Sequence, residues 1–172
     1  MAKYDILYAP WRKKYTNSET KKNSHNSKTC VFCKPLKEDV IFSSSKVYLQ
    51  TNKYPYGEGH LLVTPKRHVN DVIDLTSKER EELFNMIDLG IFALNIFMKP
   101  EGYNIGCSIG SVAGESIKHL HFHVLPRYKG DVAWSRLCDF QVVSLSPKEL
   151  TISLREIIDK NKLARKFNLL KK

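Results

Sequence analysis

The chain lacks any apolar run near the ~20 residues a transmembrane helix needs, so no membrane span is expected. Cysteine is scarce, four in 172 residues, too few for the disulfide scaffold that staples small secreted domains. The first fifteen residues, MAKYDILYAPWRKKY, hold neither a continuous apolar stretch nor a small-residue cleavage site. No secretory signal is therefore expected, and the cytoplasm is the expected location. Internal repeats are absent as well, which argues against a repeat array.

What is present suits one domain with short extensions. Hydrophobic residues make up 42% and charged residues 27%, enough for a core and far from the composition of a disordered chain. Lys and Arg number 28 against 18 Asp and Glu, a net charge of +10. An excess of that size favours polyanionic partners, whether nucleotides, nucleic acid or an acidic surface. The basic residues come in scattered pairs such as Lys13-Lys14, Lys66-Arg67 and Lys171-Lys172, which an ordinary solvated surface also explains.

Residues 1–15 are aromatic and basic, and Pro10 argues against a continuous helix there. Thr16 to Thr29 contains no apolar residue and reads as a mobile surface loop, with His25 a bystander. Lys46–Thr51 and His60–Thr64 read as strands joined by the turn residues Pro55-Tyr56-Gly57-Glu58-Gly59. Thr76-Ser77-Lys78-Glu79 is a capping box. The helix it opens is expected to run through Leu83, Phe84, Ile87, Ile91, Leu94 and Phe97, ended by Pro100 and Gly102. Further strands are expected over about Tyr103–Ile109 and Ile117–Arg127. Ser146-Pro147-Lys148-Glu149 is a second capping box, with proline in the first turn of a basic amphipathic helix. The order of elements implies α+β, an antiparallel sheet with one long helix packed on it.

The chemistry concentrates in Ile117-Lys118-His119-Leu120-His121-Phe122-His123-Val124-Leu125, which holds three of the six histidines. In a strand these three share one face while Leu120, Phe122 and Val124 face the core. Two functional readings follow: metal ligation by alternate imidazoles, and nucleophilic or general-acid chemistry on a phosphate. The preceding turn, Gly110-Ser111-Val112-Ala113-Gly114-Glu115-Ser116, can aim N–H groups and hydroxyls at an anion. Cys30-Val-Phe-Cys33 reads as metal or redox chemistry. A tetrahedral site needs two further ligands, for which the histidines are the candidates. Cys107 and Cys138 read as buried or incidental thiols, Trp11 as a packing residue, and Trp134 as equally able to reach the site.

His119-Leu-His121-Phe-His123-Val-Leu resembles the histidine triad motif, and the chain is similar to the histidine triad (HIT) superfamily of nucleotide hydrolases and transferases over about residues 28–135. Gly59-His60 through Pro65-Lys66-Arg67-His68, Gly102-Tyr-Asn104-Ile-Gly106 and Ala113-Gly114-Glu115-Ser116 extend the likeness. Ala9-Pro10-Trp11-Arg12, the Cys30/Cys33 pair and Pro126-Arg127-Tyr128-x-Gly130-Asp131 are similar to a microbial branch of dinucleoside-tetraphosphate phosphorylases and hydrolases.

The resemblance implies an N-terminal segment (1–29), a HIT domain (30–135) with about five strands, and a C-terminal extension (136–172). It implies that His121 attacks the α-phosphorus of a nucleotide, giving a nucleotidyl-histidine that water or phosphate resolves. His123 and Ser116 would assist at the phosphate. His60, Asn104, Ser108, Gly114 and Glu115 would bind substrate, with part of residues 46–52 lining the nucleoside pocket. Ser108 stands where the family usually has asparagine. Structural zinc is implied on Cys30, Cys33, His68 and His119, and a homodimer as the assembly. The expected activity is cleavage of a dinucleoside polyphosphate such as diadenosine tetraphosphate. A nucleoside phosphoramidate hydrolase is the enzyme alternative, and a non-catalytic nucleotide- or RNA-binding module the alternative of another class. The intact triad disfavours that module, and nucleic acid as a partner.

Overall fold

A computed structural model describes residues 30–129 and 146–170. The segment 1–29 with Trp11 and its polar loop, the stretch 130–134 with Trp134, and Cys138 lie outside the described residues.

Thr76 opens the longest element, α1 (Ser77–Phe97). Its hydroxyl accepts the Glu79 N–H, and the Glu79 carboxylate accepts the Thr76 N–H, the reciprocal capping the sequence announces. Arg67 clamps the same carboxylate through Nε and Nη2, both at 2.9 Å. This guanidinium holds Glu79 at a pKa of about 2, and it ties the chain just beyond the third strand to the start of the helix. At the far end the Met98 N–H bonds Leu94 O.

The buried stripe of α1 is Leu83, Met86, Ile87, Leu89, Gly90, Ala93 and Leu94. Phe84 is 58% exposed and Phe97 also faces outward, although both lie on the apolar spacing that predicts the helix. A Cβ on Gly90 would meet Leu49 Cδ1 at 3.3 Å and Leu61 Cδ1 at 3.4 Å, so α1 lies close against the sheet at this glycine.

That sheet is antiparallel throughout, with strands β1 (Val40–Ser43), β2 (Val47–Thr51), β3 (Leu61–Pro65), β4 (Gly102–Gly106) and β5 (Phe122–Arg127) in the order β1-β2-β3-β5-β4. The first strand, a short apolar run with a register irregularity between Val40 and Phe42, has no alternation to announce it. The α+β class and the long helix on an antiparallel sheet agree with the sequence reading.

Strand β5 is shorter than the expected Ile117–Arg127, because its ladder with β3 runs only from Leu61↔Val124 to Val63↔Phe122. Pro65 has no N–H to extend it. Leu120 turns its own N–H to Val69 O instead, at 2.7 Å. His119 and His121 therefore sit ahead of the strand, and only His123 lies within it. Leu120 and Val124 still reach the core, with Phe122 packed against it.

Residues 146–170 form α2 (Pro147–Lys160) and the short α3 (Leu163–Lys166). The Ser146/Glu149 capping box is formed. Leu150, Leu154, Ile158 and Leu163 join the same core as the sheet and α1, and the Thr151 and Thr51 hydroxyls meet at 3.0 Å. A second, small cluster of Cys30, Phe32, Leu62 and Ile117 lies beside that main core. No helix among the described residues is long and apolar enough to cross a membrane.

Candidate active site

The rings of His60, His121 and His123 converge, the His119 ring stands apart beside His68, and hydrogen bonds fix the tautomer of each. The His119 ring meets Pro65 O at 2.9 Å through Nε2. A carbonyl only accepts, so Nε2 carries the proton and Nδ1 presents a lone pair. The His121 ring meets the His119 carbonyl oxygen at 2.7 Å through Nδ1. Here Nδ1 carries the proton and Nε2 is left with the lone pair. At His60, Nδ1 accepts the Tyr56 N–H at 3.0 Å, and the Asn52 side-chain amide approaches the same nitrogen at 3.3 Å. The His60 proton is thus on Nε2, which donates to His123 Nδ1 at 2.9 Å. His123 in turn keeps its proton on Nε2. One ring therefore offers a nucleophilic nitrogen, and its neighbour, 5.0 Å away between centroids, offers an N–H.

Burial keeps these rings neutral. His60 is 1% and His121 6% exposed. Desolvation lowers the pKa of His60 far below the imidazole range, with the His123 and His121 charges adding to it. It carries His123 down to about 4, with His121 adding to the effect. His121 is lowered by burial too, but the His119 carbonyl and the Glu115 carboxylate pull the other way. Positive charge developing on that ring has stabilising partners already in place.

The third histidine faces another cluster. Cys30 Sγ lies 3.3 Å and Cys33 Sγ 3.5 Å from His119 Nδ1, and Cys33 Sγ lies 3.3 Å from His68 Nδ1. All four donor atoms fall within 4.8 Å of one another. A tetrahedral ion with metal–sulfur and metal–nitrogen bonds of zinc length separates S from N by about 3.6 Å, close to what is found. Burial, then the neighbouring Cys30, pushes the Cys33 thiol up to about 12, so a metal must displace a proton to bind there. The four residues form a possible Cys2His2 metal-binding group, closed by protein donors on every side.

The family model described as HIT domain matches residues 34–130, more than half of the chain. The chain belongs to the HIT domain family. A protein named AP-4-A phosphorylase from Mycobacterium tuberculosis is 35% identical over 135 residues, spanning 73% of this chain and 69% of that protein. A bis(5'-adenosyl)-triphosphatase from Saccharomyces cerevisiae is 33% identical over 105 residues, spanning 58% of this chain and 51% of its own length. Among solved structures, a hypothetical histidine triad nucleotide-binding protein from Sulfolobus tokodaii aligns with a TM-score of 0.64 at 27% identity, covering 77% of this chain and 94% of that one. A Zn-bound histidine triad family protein from Mycobacterium smegmatis shares the fold, with a TM-score of 0.67 at 24% identity, covering 81% and 99%.

Within this HIT chain the remaining residues singled out from the sequence fall into two groups. Glu115 and Gly114 belong to the turn before the triad. The Glu115 carboxylate accepts the Gly110 N–H at 3.0 Å, while the N–H groups of Ala113, Gly114 and Glu115 bond back to Gly110 and Ser111 carbonyls. Four amides expected to face an anion thus close the turn itself. Ser116 follows, half-buried, between that turn and the histidines. Asn104 sits on β4 opposite Leu125, and Ser108 follows β4, its hydroxyl 4.0 Å from where a Gly114 Cβ would lie. Both are half-buried.

Two aromatic residues at the HIT site have no counterpart in the residues chosen from the sequence. Phe32 sets its ring 4.8 Å from His121 and 5.8 Å from His119. Tyr56 stacks on His123 at 5.7 Å and lies 5.0 Å from His60. Their signal was position: Phe32 falls between the two cysteines and Tyr56 within the turn leading to His60.

Proposed function

We propose that this HIT chain is a nucleotide hydrolase or transferase that cleaves dinucleoside polyphosphates of the diadenosine tetraphosphate kind, through a nucleotidyl intermediate on His121. The observation that carries the reading is the free Nε2 lone pair of His121, left by the hydrogen bond from Nδ1 to the His119 carbonyl. In the first step Nε2 attacks the α-phosphorus. A P–N bond forms, the P–O bond to the leaving polyphosphate breaks, and the electron pair departs on that oxygen. The ring becomes cationic, and its Nδ1–H remains bonded to the carbonyl. In the second step an oxygen of water or inorganic phosphate bonds to phosphorus, the P–N bond breaks, its electron pair returns to Nε2, and the proton of the attacking oxygen is released to solvent.

His123 has the role of an N–H donor to the phosphate oxygens, stabilising charge as it develops. His60, with both ring nitrogens engaged, acts behind His123 by fixing which nitrogen donates. Ser116 is assigned to the leaving phosphate. Gly114, Glu115, Asn104 and Ser108 are assigned to the substrate side, with residues 46–52 toward the nucleoside. Zinc on Cys30, Cys33, His68 and His119 would supply a structural clamp with no open coordination position.

A homodimer is proposed through the outward face of α1 and the edge strand β4, where Phe84, Phe97 and Ile105 stand exposed. Residues 30–135 are proposed as the HIT domain. The free thiols of the metal-binding group suit a reducing cytoplasm.

The test is product analysis of diadenosine tetraphosphate turnover with and without inorganic phosphate. Water attack gives a nucleoside monophosphate, and phosphate attack gives a diphosphate in its place. The 35% identity to a protein named a phosphorylase supports phosphate as the acceptor. Absence of turnover, with cleavage of an adenosine phosphoramidate, would contradict the reading.

A further inference from the structure

Beyond α2 the chain bends sharply at Lys162 and again at Asn168, both in the left-handed region at φ 52° and φ 54°. Side chains other than glycine rarely adopt that backbone, and here the two bends bracket α3. The Arg165 N–H bonds Lys162 O at 3.1 Å, and the Leu169 N–H bonds Ala164 O at 2.9 Å. The chain so folds back on itself: Leu169 returns to the core, while Leu170 stays 48% exposed. A cavity of about 290 Å³ is left between this fold-back, the end of α2 and Phe42 of β1. None of the histidines lines it. Its floor is apolar, with Ile158 and Ala164 buried and Phe42 half-buried. Its rim carries the exposed Lys162 and Arg165 with Asp159. Among the described residues the ion pair is Arg67 with Glu79, so neither rim cation is committed to a carboxylate. The surrounding sequence is basic as well: residues 160–172 contain no Asp or Glu.

We propose that this cavity is a second ligand site, for a small organic monoanion with an apolar body, of the medium-chain carboxylate class. The apolar body would cover Phe42, Ile158 and Leu170 and release the water held against them. The carboxylate would stand at the rim, where the guanidinium fork of Arg165 suits its two oxygens and Lys162 adds a second cation. Asp159 offsets one of these charges, so the rim matches one negative charge better than a polyphosphate. The volume lies at the low end for ligand pockets, which run to about 300–1,000 Å³, and this too favours a short chain or a single ring over a nucleotide. The site is separate from the triad, and the proposal does not depend on the reaction assigned to His121.

The test titrates the full ¹⁵N-labelled chain with sodium octanoate, 1-octanol or sodium acetate and follows the backbone amide spectrum. Octanol keeps the apolar body without the charge, and acetate keeps the charge without the body. Octanoate should give saturable shifts at Phe42 and residues 158–170, and should bind more tightly than either control. Two variants probe the cations. Lys162→Gly accepts the left-handed bend without steric cost, and Arg165→Gln alters an exposed side chain, so both should fold. Each should weaken octanoate binding about threefold and the pair about tenfold, the scale of exposed ion pairs, with octanol binding unchanged. Equal affinity for octanoate and octanol, or an unaltered octanoate affinity in the double variant, would overturn the anion assignment. Shifts confined to residues around His121 and His123, or no saturable shift, would overturn the site. Displacement of octanoate from these amides by adenosine monophosphate would contradict the carboxylate class.

Discussion

His60 donates Nε2–H to Nδ1 of His123 across 2.9 Å, a bond between residues 63 positions apart. The Tyr56 N–H holds the far side of the His60 ring, so a backbone amide in the turn before β3 decides which nitrogen of His123 carries a proton. The His119 carbonyl does the same for His121, with the opposite outcome. One neutral ring is left with an N–H and the other with a lone pair. Side chains alone, free to choose tautomers, would not give that division.

The two rings should therefore fail differently when removed. His121→Ala should lower kcat on diadenosine tetraphosphate by about 10⁴-fold or more, since the attacking atom is gone. His123→Ala should cost about 10²- to 10³-fold, the loss of one charge-stabilising donor. Steady-state kinetics with circular dichroism on both variants check this. Equal losses in the two would show that the roles are not divided as described.

Purified protein should contain close to one zinc per chain by elemental analysis. Chelation should lower Tm by at least about 10 °C, because metal binding free energy in a closed Cys/His site is folding free energy. Protein prepared without chelator and free of zinc, with an unchanged Tm, would remove the metal from the account.

Stability should fall on the acid side in a specific window. Burial lowers the pKa values of His60 and His123 below the ordinary 6.5, the latter to about 4. The unfolded chain then binds more protons than the folded one between those values, so stability rises with pH there. Their contribution is fully present above about pH 6.5 and is lost as pH drops through the folded-state values. Urea midpoints measured from pH 8 to pH 4 should be level at first and then decline, and the decline should be shallower in His123→Asn. An identical slope in that variant would show that the ring is not held neutral by the fold.

Much of this was legible from residue order alone. The Thr76/Glu79 and Ser146/Glu149 pairs announced both helix starts, and the spacing of His119, His121 and His123 drew attention to the segment before β5. The resemblance already set His119 apart from His121 and His123, and the structure places the His119 ring beside the two cysteines; what local patterns could not show is the backbone that turns it there. That turn depends on Pro65 ending the ladder and on Val69 accepting from Leu120. Strand β1 escaped notice because Val40–Ser43 is too short to alternate. Phe84 and Phe97 fit the helical spacing yet stand exposed, because spacing predicts a helix without fixing which residues face the sheet. Phe32 and Tyr56 act through ring contacts with residues far along the chain, which no local pattern encodes.

The central claim is a covalent bond between His121 and the α-phosphorus. The most direct measurement mixes excess enzyme with α-phosphate-labelled diadenosine tetraphosphate, quenches at alkaline pH within one turnover, and maps the label by peptide mass spectrometry. The account predicts a nucleotidyl group on the peptide spanning residues 119–123, localised to His121, and no such label in His121→Ala. Product formed in that turnover with no labelled histidine at any time point would contradict it, and would mean that water or phosphate attacks the nucleotide directly.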